Sequence, residues 1–352
     1  MTTRPIPPVR PARPRPPRRL LAAAAATLLA LAAVGCGDDG GGPEEASGGD
    51  REELTVVLEW SPNTNHSGVY LAEAEDWYAE AGLDVEIIEP GDAGSLQILG
   101  SGKADVAFTV QEELVPARAE GVPVVGLAAV IEHNTSSLLS LTDDGIARPR
   151  DLAGQSYGGF GGQLETALVE RLVECDGGDP SEVTFAEVGE ADYRLGLTRD
   201  QYDAVWIFDA WDGIRLGEIE GLATQTIPFI DHEDCIPDWY TPMIASSEQV
   251  ISKRADALAS FMEVTARGYR EAMADPDASA EALLDAVPEL DRELVERSSE
   301  YLSTRYAEDP AAWGRMETER WTEFVDFLVD AELIDEPIDV EPAFTNRFLG
   351  EA

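Results

Sequence analysis

Residues 54–109 read LTVVLEWSPNTNHSGVYLAEAEDWYAEAGLDVEIIEPGDAGSLQILGSGKADVAFT. An extended, β-branched run at 55–59 leads into an apolar-periodic stretch over 69–81. Then come the strand-like 83–88, a second helical stretch over 95–101, and a further apolar run over 104–109. A βαβαβ alternation with short links predicts a parallel sheet covered by helices. Gly82 and Gly102 stand where the two helices should stop. A helix over 112–120 and the near-continuous apolar run 122–131, expected of a buried strand, extend the same pattern.

Near residue 140 the α/β pattern begins again. Asp151-Leu-Ala-Gly-Gln-Ser-Tyr157 leads into Gly158-Gly-Phe-Gly-Gly162, a helical stretch over 164–175, and strands over 183–188 and 204–208. Beyond 246 the chain is mostly amphipathic helix, over 255–272, 279–286, 291–301 and 316–331. The expected fold class is therefore α/β, with two lobes and a ligand cleft between them. Residues 54–139 and 243–352 would form the first lobe and 140–242 the second, with crossings at Leu139-Ser140 and near Tyr240-Thr-Pro-Met-Ile244.

The chain ends bound the setting. Residues 1–35 hold six arginines and no acid, followed by an apolar segment of fifteen residues over 20–34, too short for a comfortable membrane span and read as an export signal. It ends in Ala33-Val34-Gly35-Cys36, which resembles the lipobox at which bacterial lipoproteins are cleaved and acylated on cysteine. Residues 36–53, rich in glycine and acid, read as a flexible tether. The expected location is the outer face of a membrane, anchored by lipid on Cys36. Loss of the signal removes six of 25 basic residues and none of 69 acidic ones, leaving 19 against 69, a formal charge of −50. Such a surface disfavours nucleic acid and anionic lipid as partners. Cys175 and Cys235 are the remaining cysteines; export permits them to pair, and the sequence leaves that open. His66, His133 and His232 are isolated, so no metal-ligand spacing is present.

The chemistry gathers at strand ends. Ser61-Pro-Asn-Thr-Asn-His-Ser-Gly68, after Glu59-Trp60, sets an aromatic plate and several hydrogen-bonding groups around a helix start. It reads as a binding mouth, although Pro62 and the Asn/Thr/Ser cluster also serve turn and cap chemistry. These residues, together with Ser101-Gly-Lys-Ala-Asp105, Glu132-His-Asn-Thr135, Tyr157 and its glycine loop, Trp206-Ile-Phe-Asp-Ala-Trp-Asp-Gly-Ile214, Tyr240-Thr-Pro242 and Phe344-Thr-Asn346, follow a familiar order. Over 54–349 the chain resembles the solute-binding lipoproteins of formylaminopyrimidine importers, from the group shared with hydroxymethylpyrimidine synthases of thiamine biosynthesis. The resemblance implies the two-lobed periplasmic-binding-protein fold and a 4-aminopyrimidine ligand. It also implies partnership with an ABC permease and its ATPase, and a monomer with no cofactor.

A flat pyrimidine wants aromatic faces, for which Trp60, Tyr157, Trp206, Trp211 and Tyr240 are the candidates. Its donor–acceptor edge suits a carboxyl group, for which Asp212 and Glu59 are chosen, with Asn65, His66 and Gln111 as further polar contacts. Glu59 and His66 equally suit a supporting role behind Trp60. The loop Gly158, Gly159, Phe160 and Gly161 has bare amides for a ligand tail; no Lys or Arg follows it closely, which suits a neutral tail such as a formamide. Related synthases carry a cofactor-binding lysine and a sacrificial histidine where Thr109 and Glu113 stand here, and a cysteine cluster where this chain has Asp238-Trp-Tyr-Thr-Pro242. Without that lysine no pyridoxal phosphate Schiff base forms there. The expectation is a binder and not an enzyme. The alternatives are a same-fold binder of a sulfonate or another heterocycle, and an exported pyrimidine enzyme.

Overall fold

In the computed structural model, residues 51–189 and 192–350 are described, and all belong to one compact unit. The export segment, Cys36 and residues 37–50 of the expected tether lie outside the described residues, while Glu52 and Glu53, expected to end the tether, already belong to the first strand. Among the described residues ten strands run in chain order: β1 (Glu52–Val57), β2 (Leu83–Ile88), β3 (Val106–Thr109), β4 (Val124–Ala129), β5 (Ser136–Leu141), β6 (Ser156–Gly159), β7 (Thr184–Glu187), β8 (Ala204–Phe208), β9 (Thr224–Pro228) and β10 (Met243–Ser247). They form two five-stranded sheets, ordered β2-β1-β3-β10-β4 and β7-β6-β8-β5-β9. Each sheet has a parallel trio and one antiparallel strand inserted fourth, β10 in the first and β5 in the second.

Those inserted strands are the ones that arrive from the other sheet. The chain leaves β4 at Ala129 and enters β5 at Ser136; it leaves β9 at Pro228 and enters β10 at Met243. The first crossing therefore precedes the expected Leu139-Ser140, because Ser136-Ser-Leu-Leu-Ser-Leu141 is one unbroken strand paired with both β8 and β9. Both crossings run past the carboxyl ends of β3, β4, β6 and β8, the edge at which α/β sheets receive ligands.

Local chemistry explains the elements near that edge. The helix expected over 69–81 is two helices, Ser67–Ala74 and Trp77–Glu80, because Asp76 turns left-handed at φ 58° and sends Trp77 and Tyr78 into the core. Helix Ser67–Ala74 crosses helix Ala255–Ala274 backbone to backbone: a Cβ on Gly268 would lie 2.0 Å from the Gly68 carbonyl oxygen. Glycine is required at that crossing, which anchors the residues just before Ser67. Past β8 the chain forms a π-helix, Asp209–Ile219, which carries Trp211 and Asp212.

An apolar cluster continues from the first sheet through the second crossing into the second sheet. Trp239 is its centre, stacked on Phe324 at 5.4 Å and edge-on to Trp206 at 6.1 Å. Burying each such aromatic contributes on the order of 1.5–3 kcal/mol. Cys175 and Cys235, left open by the sequence, are joined in a disulfide between helix Gln163–Cys175 and the second crossing.

Candidate functional site

The loop after β1 is locked by side chains. Asn63 caps the turn, its Oδ1 accepting from the Asn65 N–H at 2.8 Å. His66 is buried; its Nδ1 accepts from the Asn63 N–H at 3.1 Å, which leaves Nε2–H to donate to Glu59 Oε2 at 2.7 Å. Tyr306 and Tyr269 donate to the carbonyls of Thr64 and Asn65, each at 2.5 Å. Every strut of the loop thus points inward while Trp60, 46% exposed, projects from it. Glu59 and His66 hold the loop, the supporting role the sequence admitted for them.

Across the first sheet's edge, Gln111 follows β3 and grips the second crossing. Its Oε1 accepts from the Tyr240 N–H at 2.8 Å and its N–H donates to the Tyr240 carbonyl at 3.1 Å. Tyr240 itself is buried, with its hydroxyl oxygen accepting from the Glu317 N–H at 2.9 Å and Arg320 4.8 Å above its ring. On the second lobe Tyr157 is buried and donates to Glu165 Oε1 at 3.0 Å; burial, then the Glu165 charge, push its phenol up. Gly158 and Gly159 are the end of β6 rather than loop. A Cβ on Gly159 would meet the Tyr157 ring at 2.7 Å and Glu165 Oε2 at 2.9 Å. Phe160, 59% exposed, and Gly161 form the open tip.

The remaining expected residues have other neighbours. Trp206 packs edge-on between Phe229 and Trp239, its buried indole N–H without a partner. Trp211, on the π-helix, lies against the cluster of Leu283, Leu284 and Val295 from the first lobe's helices, so it sits at a seam between lobes. Asp212 is buried and accepts from Arg215 Nη2 at 2.8 Å; burial raises its pKa and Arg215 opposes the rise.

Two features single out the strand-end edge. Buried polar atoms without a protein partner lie there: Thr109 Oγ1, Gln111 Nε2, Asn134 Nδ2, Ser136 Oγ and Trp206 Nε1. Each such group costs about 1–3 kcal/mol if nothing meets it, so a cluster marks a place where something else is received. Carboxyls also line the edge. Burial, then Glu59, raise Glu113; burial pushes Asp209 up to about 6 and Glu112 up to about 8. Glu113 is exposed at this edge, Asp209 is half-buried, and the Glu112 carboxyl is turned inward. Of the arginines nearby, Arg215 pairs with Asp212 and Glu220 and Arg320 with Asp238, while Arg305, whose charge lowers the Asp209 pKa, makes no ion pair among the described residues.

The sequence profile described as NMT1/THI5 like matches residues 63–279. The chain belongs to the NMT1/THI5-like family. Among relatives of this NMT1/THI5-like chain is the formylaminopyrimidine-binding protein of Halalkalibacterium halodurans, 26% identical over 305 residues, covering 84% of this chain and 90% of the relative. Another is the 4-amino-5-hydroxymethyl-2-methylpyrimidine phosphate synthase of Legionella pneumophila, 23% identical, covering 85% and 93%. The periplasmic aliphatic sulphonate binding protein of Escherichia coli shares the fold with a TM-score of 0.65 at 15% identity, covering 83% of this chain and 91% of that one. The NMT1/THI5-like chain thus has the two-lobed periplasmic-binding-protein fold.

Glu112 was missed by the sequence reading. An acid in the first turn of helix Gln111–Ala119 looks like ordinary dipole chemistry, yet its two oxygens meet Trp239 Nε1 at 3.0 Å and Thr241 Oγ1 at 3.3 Å. Its pKa rises from 4.5 to about 8, mainly through desolvation, so between those values the folded state holds more protons than the unfolded one. This group's contribution to stability therefore falls as pH rises through that window. Glu112→Gln is expected to gain in melting temperature relative to wild type, progressively from pH 5 to pH 8. Melts at pH 5, 6.5 and 8 check this, and a difference independent of pH would refute the raised pKa.

Proposed function

We propose that this protein is the extracytoplasmic substrate-binding lipoprotein of an ABC importer and that it closes its lobes over a thiamine-precursor aminopyrimidine, formylaminopyrimidine or hydroxymethylpyrimidine. One observation carries the ligand class: carboxyls and unpaired donors line the strand-end edge, where Arg215 and Arg320 are already ion-paired. A sulfonate entering there meets carboxyl groups, and Arg215 and Arg320 are committed to Asp212 and Asp238. A neutral ring with amino donors and ring acceptors suits the same lining, and Trp60 offers it an exposed face. The relatives named for aminopyrimidine binding and synthesis support this choice over the sulfonate binders, which share only the fold.

In this reading the protein is a binder. Thr109 stands where the synthases' lysine would be, and among the described residues the edge holds no nucleophile beside a base. Cys36 carries the lipid, the partner permease and ATPase supply transport, and the binder works as a monomer. The lobes rotate about the two crossings.

The test is calorimetric titration of the chain from Gly37 onward with formylaminopyrimidine, hydroxymethylpyrimidine, thiamine and taurine. Saturable binding of an aminopyrimidine without taurine binding is expected. Trp60→Ala should weaken it about thirtyfold, about 2 kcal/mol of stacking and burial, without lowering the melting temperature. Taurine binding with no heat from any pyrimidine would overturn the reading.

A further inference from the structure

The crossings are fastened unevenly, and the fastening places the pivot. In the second crossing, the residues up to Ile236 are held by the second lobe. The disulfide ties Cys235 to Cys175, Arg171 Nε donates to the Cys235 carbonyl at 3.3 Å, and the N–H groups of Cys235 and Ile236 return to the His232 carbonyl at 2.8 and 3.1 Å. From Asp238 onward the first lobe holds the chain, through Arg320 on Asp238 at 3.1 Å, Glu112 on Trp239 and Thr241, and Gln111 on Tyr240. Pro237 alone lies between, without an N–H and with φ set by its ring.

The first crossing has a matching break. Glu132 is held by the first lobe: its N–H donates to the Arg305 carbonyl at 3.4 Å, its Oε2 accepts from the Glu308 N–H at 2.5 Å, and its carbonyl accepts from Arg320. The Asn134 N–H donates to Asp238 Oδ1 at 2.9 Å. The next carbonyl, of Thr135, accepts instead from the Asp209 N–H of the second lobe at 3.0 Å. A side-chain bond spans this break, from the Ser136 N–H to Asn134 Oδ1 at 2.8 Å. That bond fixes the amide's orientation, since a flipped side chain would set donor against donor. Asn134 Nδ2 is the end left over, buried and without a partner, as is the Ser136 hydroxyl two residues on.

We propose that Asn134 couples ligand to hinge: Nδ2 donates to an acceptor atom of the bound ring while Oδ1 holds Ser136 across the pivot at Asn134–Thr135, opposite Pro237. One amide then reads both the ligand and the angle between the lobes. The proposal rests on the binding reading above and names a contact within that site.

Two variants separate the halves of the claim. Asn134→Asp keeps the acceptor for Ser136 and replaces the donor; Asn134→Ala removes both, with the near-isosteric Asn134→Leu in its place if the alanine variant does not fold. In the full chain, held in detergent without ligand, amide hydrogen exchange at Ser136 should stay near wild type in Asn134→Asp and rise about tenfold or more in Asn134→Ala. Titration with formylaminopyrimidine should show both variants weakened about tenfold or more. Wild-type affinity in Asn134→Asp would remove the ligand contact, and unchanged exchange in Asn134→Ala would remove the pivot. If wild type binds no aminopyrimidine, the ligand reading fails, and the exchange result alone still decides the pivot.

Discussion

Asp238→Ala is expected to lower the stability of the fold by about 3–5 kcal/mol, the cost of breaking a buried pair by removing one partner. Asp238 is buried between three groups: Arg320 Nη1 at 3.1 Å, His133 Nδ1 at 2.7 Å and the Asn134 N–H at 2.9 Å. Alanine leaves the mostly buried guanidinium and a buried amide N–H without their acceptor. For a domain of this size the loss corresponds to a fall of roughly 10 °C in melting temperature. The loss also depends on pH. The hydrogen bond that His133 donates to Asp238 raises the His133 pKa above 6.5, against the desolvation that lowers it. Stability from that pairing is therefore fully present below about pH 6.5 and is lost as pH rises through the raised folded value. The gap between wild type and Asp238→Ala should be wider at pH 6 than at pH 8. Thermal melts at the two pH values measure it, and an equal gap would mean that His133 does not titrate against Asp238.

The second large effect belongs to the disulfide. Cys175 and Cys235 are 60 residues apart, and freeing a loop of that length gives the unfolded chain entropy worth about 4 kcal/mol. The double replacement Cys175→Ala with Cys235→Ala should fall by a similar roughly 10 °C. The oxidised wild type treated with reductant should match it. A double variant as stable as wild type would show that the bond adds nothing to the folded state. The substitution reaches beyond stability, because the disulfide fixes residues before Pro237 to the second lobe.

Much of this architecture was legible because it is locally encoded. The strands and helices over 54–109 carry their own periodicity and stop signals, and the aromatic and amide cluster at 60–68 marks a strand-end mouth. What escaped was set by tertiary contact. Ser136-Ser-Leu-Leu-Ser-Leu141 has no β-branched residue and no alternation, since β8 and β9 flank it on either side. It therefore read as a lobe boundary. The break at Asp76 depends on where Trp77 must be buried. The roles of Trp206 and Trp211 turn on neighbours more than 20 residues away, in the aromatic cluster and at the interlobe seam. Glu112 looked like surface charge because its partners, Trp239 and Thr241, lie 127 and 129 residues further along.

The insertion of β10 between β3 and β4 governs the order in which the molecule can be made. When residues 51–131 have emerged, the first sheet has the parallel trio β2-β1-β3, but β4 has no neighbour to join it. β3 and β4 each wait, with an open edge, for a strand more than a hundred residues downstream. The second sheet, in contrast, is contiguous in the chain from β5 to β9 and can close as soon as it is synthesised. Domains that depend on such distant pairings fold slowly and expose unpaired edges meanwhile. The lobe that begins the chain is thus the last to be completed. A nascent or truncated form ending before residue 243 would carry a finished second lobe beside a first lobe open to aggregation.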